Sequence, residues 1–191
     1  MCIRDSALIV TDNGSINLPF ISDLQNLLND SKVKSAIYSN ISPNPRDDEI
    51  DSGCKKFRDG NHDAIIAIGG GSAMDGGKAI SLTVNSGVSL WDFEFEKEPP
   101  KLEMENPFPK IITIPTTAGT GAETEVTAMV THLEKGMKFC LWHPDARPCL
   151  ALVDPELTLK LPANLTAWTG IDAMIPVSYT HLTLPTSNDV V

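Results

Sequence analysis

The run Ala64-Ile65-Ile66-Ala67-Ile68, followed at once by Gly69-Gly70-Gly71-Ser72, constrains this chain more than any other stretch. Consecutive apolar residues leave no polar face. A strand built from them is therefore covered on both sides, as in a parallel sheet flanked by helices. Glycines directly after it permit positive φ and close approach of another group. Ala73 to Leu82 then reads as a helix. The start of such a helix offers free N–H groups and the positive end of the helix dipole to an anion, phosphate above all. The plainer reading is a tight turn in which glycine serves packing alone. The run is neither the GxGxxG fingerprint nor a Walker loop, since no Gly-Lys-Ser/Thr follows.

The surrounding sequence repeats the alternation. Ala7–Val10 is a short apolar strand closed by Thr11-Asp12-Asn13-Gly14, and Phe20, Leu24, Leu27 and Leu28 recur at helical spacing. Ser35–Tyr38 reads as a strand, and Arg46–Asp59 as a polar helix with Ile50, Cys54 and Phe57 on one face. Residues 87–109 read as a loop excursion, followed by a strand over Lys110–Ile114. Further strands are expected near Met129–Thr131, Lys138–Trp142 and Leu150–Val153. Asp154 is placed to cap a helix with Pro155 at its first position, and a last helical region begins at Ala163 and runs to Met174. This order implies an α/β fold with a doubly wound sheet, whose ligands bind at the carboxyl ends of the strands. Three glycine-containing turns lie at such ends: Asp12–Gly14, Gly69–Ser72 and Thr116–Gly121.

Charge narrows the partners. Of 191 residues, 15 are Lys or Arg and 25 are Asp or Glu, a net charge of −10. Nucleic acid is a poor partner for such a surface, because neutralising phosphates requires basic groups. The longest apolar runs fall short of the ~18 residues a membrane helix needs, and no basic stretch precedes an apolar one at the N-terminus. Four cysteines without CxxC spacing read as reduced thiols, so a cytoplasmic location is expected.

Two further features bear on chemistry. Asp75 and Lys78 stand one helical turn apart, which on a surface is a solvated pair worth about 0.3 kcal/mol. In a site, Asp75 would stand near the reacting end of a ligand with Lys78 in support. Pro115-Thr116-Thr117-Ala118-Gly119-Thr120-Gly121 supplies three hydroxyls and two glycines beside the first turn. It either binds a ligand or satisfies its own backbone.

Four segments together resemble the iron-containing (group III) alcohol dehydrogenase family. They are Asp63 to Asp75 with Lys78, Ile114 to Glu123, Asp154 to Leu157, and Thr169-Gly170-Ile171-Asp172-Ala173-Met174. The resemblance implies a Rossmann-like NAD-binding domain over 7–162 and the truncated start of an all-helical metal-binding domain over 163–176. It implies that Gly70, Gly71, Ser72 and Asp75 line the pyrophosphate and nicotinamide, and that Thr116, Thr117 and Thr120 bind from the second loop. Lys138 would reach the cofactor ribose. Asp12 matches the position whose acid favours NAD over NADP, or else caps its own turn. Asp172 matches the first ligand of a divalent iron or zinc. The family's histidine four residues later is Pro176 here, and His62, His132 and His143 match no ligand motif. Thr124-Glu125 stand where the family usually has Val-Thr or Val-Gly, so no cofactor role is carried over to Glu125.

The implied activity is hydride transfer between NAD and a small alcohol or aldehyde, in a parent that is a homodimer or higher oligomer. The resemblance assigns no catalytic side chain within this chain, which is expected to be inactive alone. A dehydroquinate-synthase-like or glycerol-dehydrogenase-like NAD enzyme, or a nucleotide-binding module without catalysis, are the alternatives. The two ends are expected to be foreign. Val177–Leu182 can be encoded by GTC TCT TAT ACA CAT CTG, whose reverse complement encodes Met1–Asp5. That DNA resembles a transposon-based sequencing adaptor, so residues 1–6 and 177–191 read as adaptor translation.

Overall fold

A computed structural model of the chain describes residues 5–103 and 108–182, and for residues 176–182 the backbone alone. The element order is β1 (Ser6–Val10), α1 (Pro19–Asp30), β2 (Lys34–Tyr38), α2 (Asp47–Asp59), β3 (Ala64–Gly69), α3 (Gly71–Val84), β4 (Lys110–Pro115), β5 (Thr127–His132), β6 (Met137–Trp142), β7 (Leu150–Ala151) and α4 (Ala163–Leu182). Single 3-10 turns lie at Leu90–Phe93 and Pro155–Thr158. Five strands form one parallel sheet in the order β2-β1-β3-β4-β7, the Rossmann-like arrangement that the alternation of strands and helices implies.

Strand residues divide between two cores by parity. Ala7, Ile9, Ile66, Ile68 and Ile114 face α1, where Ile21, Phe20, Leu24 and Leu28 complete one cluster. Leu8, Val10, Ile65, Ala67 and Ile111 face the other layer, where Ile50, Cys54 and Phe57 of α2 and Met74, Ile80 and Leu82 of α3 meet them. Because both faces of β3 are apolar, polarity does not set its register; size does. A β-carbon on Gly77 of α3 would lie 2.6 Å from the Ala67 Cβ, and one on Gly76 would lie 2.7 Å from Ile41 Cδ1. Glycine costs a helix interior about 1 kcal/mol relative to alanine, and here it brings α3 down onto the sheet.

Helix starts follow their local chemistry. Pro19 opens α1. At α2 the Glu49 carboxylate accepts the Arg46 N–H at 3.0 Å, and Asp47, Asp48 and Glu49 sit at the positive end of the helix dipole. Asp154 accepts the Glu156 N–H at 2.9 Å, as its position before Pro155 predicts, although the turn it caps is 3-10 and not α-helical.

Two of the later strands depart from the doubly wound pattern. β5 and β6 pair antiparallel as a separate two-stranded sheet, in register Thr131↔Lys138. The short link Leu133-Glu134-Lys135-Gly136, with Gly136 at φ 61°, allows only a hairpin; a parallel partner needs a long crossover. The hairpin closes over α3 through Ala128, Val130 and Leu141, all fully buried. The loop excursion before β4 is also less loose than its composition suggests, since Leu90 and Phe93 are buried in the main core. The helical region expected over Ala163–Met174 is α4, which continues to Leu182. Of the ends expected to be foreign, residues 1–4 and 183–191 lie outside the described residues.

Candidate functional site

The chain leaves β1 toward β2 on one side and returns to β3 on the other, so the carboxyl ends of β1 and β3 flank a topological switch point. The Asp12–Gly14 and Gly70–Ser72 turns meet there with Ile41 and Pro43 around a cleft of about 320 Å³. A second cleft of about 740 Å³ runs from Asp12, Ser15 and Phe20 past Thr116 and Thr117 to Glu156, Leu157, Lys160 and Leu165.

β3 ends on Gly69 at φ +147°, where a β-carbon would lie 2.7 Å from Ala73 Cβ and 2.9 Å from Asp12 Oδ2. That position admits only glycine. Thr116 N–H donates to the Gly69 carbonyl at 2.9 Å, which fixes the two turns side by side. β-Carbons on Gly70 and Gly71 would stand 3.6 Å from Thr117 Oγ1 and 3.1 Å from Thr120 Cγ2. The turn thus packs directly against the threonine loop, while Gly70 and Gly71 leave bare backbone on the smaller cleft and Gly70 lines the larger one with Thr116 and Thr117. No side chain caps α3, so its first-turn N–H groups open onto the smaller cleft. The Ser72 hydroxyl donates to the Pro43 carbonyl at 2.6 Å. It tethers the turn to the β2–α2 loop, and Ser72 offers a ligand its backbone N–H.

The Asp12 carboxylate accepts from Gly14 N–H at 2.9 Å, Ser15 N–H at 3.0 Å and the Ser15 hydroxyl at 2.9 Å. It caps its own turn while lining both clefts. The solvated reading of Asp75 and Lys78 is corrected. Lys78 is 2% exposed, and its ammonium donates to the Ala122 carbonyl at 3.0 Å and stands 3.2 Å from Asp75 Oδ1. Burial raises the Asp75 carboxyl pKa, opposed by the Lys78 charge, by hydrogen bonds from Lys78 and the Met129 backbone, and by Lys138. Lys138 is exposed on β6, close enough to act on Asp75 electrostatically, so the hairpin brings a second cation to this end of the site.

Asp172 stands on α4 against the threonine loop. A β-carbon on Gly119 would lie 3.2 Å from both Cβ and Oδ2 of Asp172. The described histidines are elsewhere: His62 pairs with the Ser6 hydroxyl, His132 stacks on Trp91, and His143 packs between Phe93 and Phe108. Among the described residues no group of three His, Cys, Asp or Glu side chains could hold a metal ion. One carboxylate does not make a metal site, which takes three or more protein ligands. The residues present therefore fit a dinucleotide but not, by themselves, a metal.

Sequence reasoning missed the far wall of the larger cleft: Phe20, Leu157, Lys160, Leu161 and Leu165. The available signal was Asp154-Pro155. A helical start directly after a parallel strand places the residues that follow at the carboxyl edge of the sheet, beside the threonine loop.

This arrangement defines an α/β dinucleotide-binding domain, and comparison with known proteins narrows it. A family profile described as iron-containing alcohol dehydrogenase matches residues 2–155; the chain belongs to that family. It is 34% identical over 168 residues to an NAD-dependent methanol dehydrogenase of Bacillus methanolicus, covering 88% of this chain and 43% of the relative. A choline dehydrogenase of Bacillus subtilis is also 34% identical over 168 residues, with 88% of this chain and 41% of the relative covered. A 1,3-propanediol oxidoreductase crystal structure superposes with a TM-score of 0.83 at 32% identity, covering 89% of this chain and 43% of that one. The chain thus spans less than half the length of these relatives. No helix among the described residues is long and apolar enough to cross a membrane.

Proposed function

We propose that this chain is the cofactor-binding part of an NAD-dependent dehydrogenase that interconverts a small primary or secondary alcohol with its aldehyde or ketone. One observation carries the reading: the bare backbone of Gly70 and Gly71 lines a cleft at the uncapped start of α3, beside Thr116 and Thr117. Backbone N–H groups at a helix start bind a pyrophosphate through partial charges and direct hydrogen bonds. The Gly70, Gly71 and Ser72 N–H groups fill that role, and the hydroxyls of Thr116, Thr117 and Thr120 supply donors from the opposite wall. The larger cleft, with Leu157, Leu161 and Leu165, offers an apolar slot suited to a base.

Bound NAD would supply the hydride chemistry; the protein's part is orientation and electrostatics. Asp75 and Lys138 lie past the glycine turn, where a carboxyl and an ammonium suit the nicotinamide ribose. Asp12 disfavours a 2′-phosphate by charge while holding its turn. In the parent, Asp172 would be one ligand of a divalent iron or zinc that other residues complete. We assign the parent to the cytoplasmic NAD pool and to a homodimer or higher oligomer.

Calorimetric titration with NAD tests this. Binding by the wild-type chain, and at least tenfold weaker binding by Gly71→Val, is the expected result. A branched side chain at 71 enters the space next to Thr120. Equal binding by both would overturn the site. The chain alone should show little or no turnover with alcohols, NAD and added iron or zinc; robust turnover would contradict its assignment as a part.

A further inference from the structure

The Thr116–Gly121 loop has two working faces. On one side Thr117 and Thr120 pack against Gly70 and Gly71, and Thr116 and Thr117 line the larger cleft. On its other side, Gly119 lies directly under α4. A β-carbon there would overlap the Thr169 carbonyl oxygen and reach 3.2 Å from Asp172 Cβ and Oδ2. Gly119 sits at φ +105°, so its missing side chain and its backbone conformation serve the same contact.

We propose that this loop is a spacer that transmits occupancy of the glycine-lined cleft to helix α4, with Gly119 as the positioning residue that sets where the Asp172 carboxylate stands. The inference rests on the reading that the loop binds NAD. A dinucleotide seated along the cleft that Gly70, Thr116 and Thr117 line limits the loop's movement. Since α4 touches the loop without an intervening side chain, that restraint is passed to Thr169 and Asp172. Coupling of this kind is reciprocal: displacing α4 weakens NAD binding by the same factor as NAD steadies α4.

Gly121 provides the control. It also has positive φ, +67°, but a β-carbon there would meet only Glu125 Oε1, at 3.9 Å. Gly121→Ala strains the same loop without touching α4. Amide hydrogen exchange of residues 169–173 in the wild-type chain, Gly119→Ala and Gly121→Ala separates contact from strain. NAD should slow exchange of the wild-type segment by about fivefold, the low end of ordinary coupling. Gly119→Ala should speed its exchange without NAD by about tenfold and abolish the NAD response, while β1 and β3 keep their protection. Gly121→Ala should retain the wild-type protection of residues 169–173 measured without NAD.

Should Gly119→Ala unfold the sheet, Asp172→Leu presses the same contact from the helix side, and several-fold weaker NAD binding is expected. Wild-type exchange in Gly119→Ala, equal loosening by Gly121→Ala, or an unchanged NAD affinity in Asp172→Leu would overturn the proposal. No NAD binding by the wild-type chain would overturn the cofactor reading and the transmission with it. The exchange difference between the two glycine variants would still decide whether Gly119 positions α4.

Discussion

Lys78 concentrates the chemistry of this site in one side chain. Its ammonium is almost wholly buried, and the Ala122 carbonyl and the Asp75 carboxylate satisfy it. Removing one partner of a buried pair costs several kcal/mol, because the other charge is left without compensation. Lys78→Ala should therefore destabilise the chain by about 3 kcal/mol in urea unfolding. Asp75 gives a pH signature. Its pKa is raised in the fold by burial, so the folded state holds the proton more tightly than the unfolded chain. Stability from this group is present below the ordinary carboxylate range and is lost as pH rises through the raised value. Unfolding free energies measured from pH 4 to 8 should fall more steeply for wild type than for Asp75→Asn; parallel profiles would refute the assignment. None of this was legible in the Asp75–Lys78 spacing, which suits an exposed pair equally well. What buries Lys78 is the hairpin over α3 and the turn at Ala122, contacts distant in sequence.

Helix α3 is the element on which the site depends, and its glycines set its depth. Gly77 admits the Ala67 methyl, so the helix start is held close to the ends of β3 and β4. Gly77→Ala should gain helix propensity yet lose about 1–3 kcal/mol to overpacking. Ala67→Gly in the same chain should recover part of that loss, and a double-mutant cycle reads the recovery directly. Additive losses would mean that the helix does not bear on β3 at this point. Elements of this kind were the most legible. An apolar run followed by glycines located β3 and α3, and alternating strands and helices located the parallel sheet. The hairpin was legible as two strands but not as a separate sheet, because pairing partner depends on a four-residue link and not on strand composition.

At the scale of the molecule, the surface is uneven. Trp168, Ile171, Met174 and Ile175 of α4 are all more than half exposed, and Leu152, Val153 and Leu159 add to the apolar area. Exposed apolar side chains recurring at helical spacing along α4 mark an interaction surface or an association hazard. Sedimentation at increasing concentration should show self-association, and Trp168→Gln with Ile171→Gln should reduce it. A strictly monomeric wild type at high concentration would count against the patch. The threonine loop's contact with α4 was not readable either, since Gly119 and Asp172 meet only through the fold. The strand order carries a last consequence, one of timing. β1 lies between β2 and β3, and Ala7 must wait for Ala64 before its second edge is paired. At ribosomal rates of about 5–20 residues per second, that wait lasts roughly 3–11 s. For that interval the nascent chain carries an apolar strand with one edge unpaired, and the speed of translation from α1 to α2 sets how long that edge stays open.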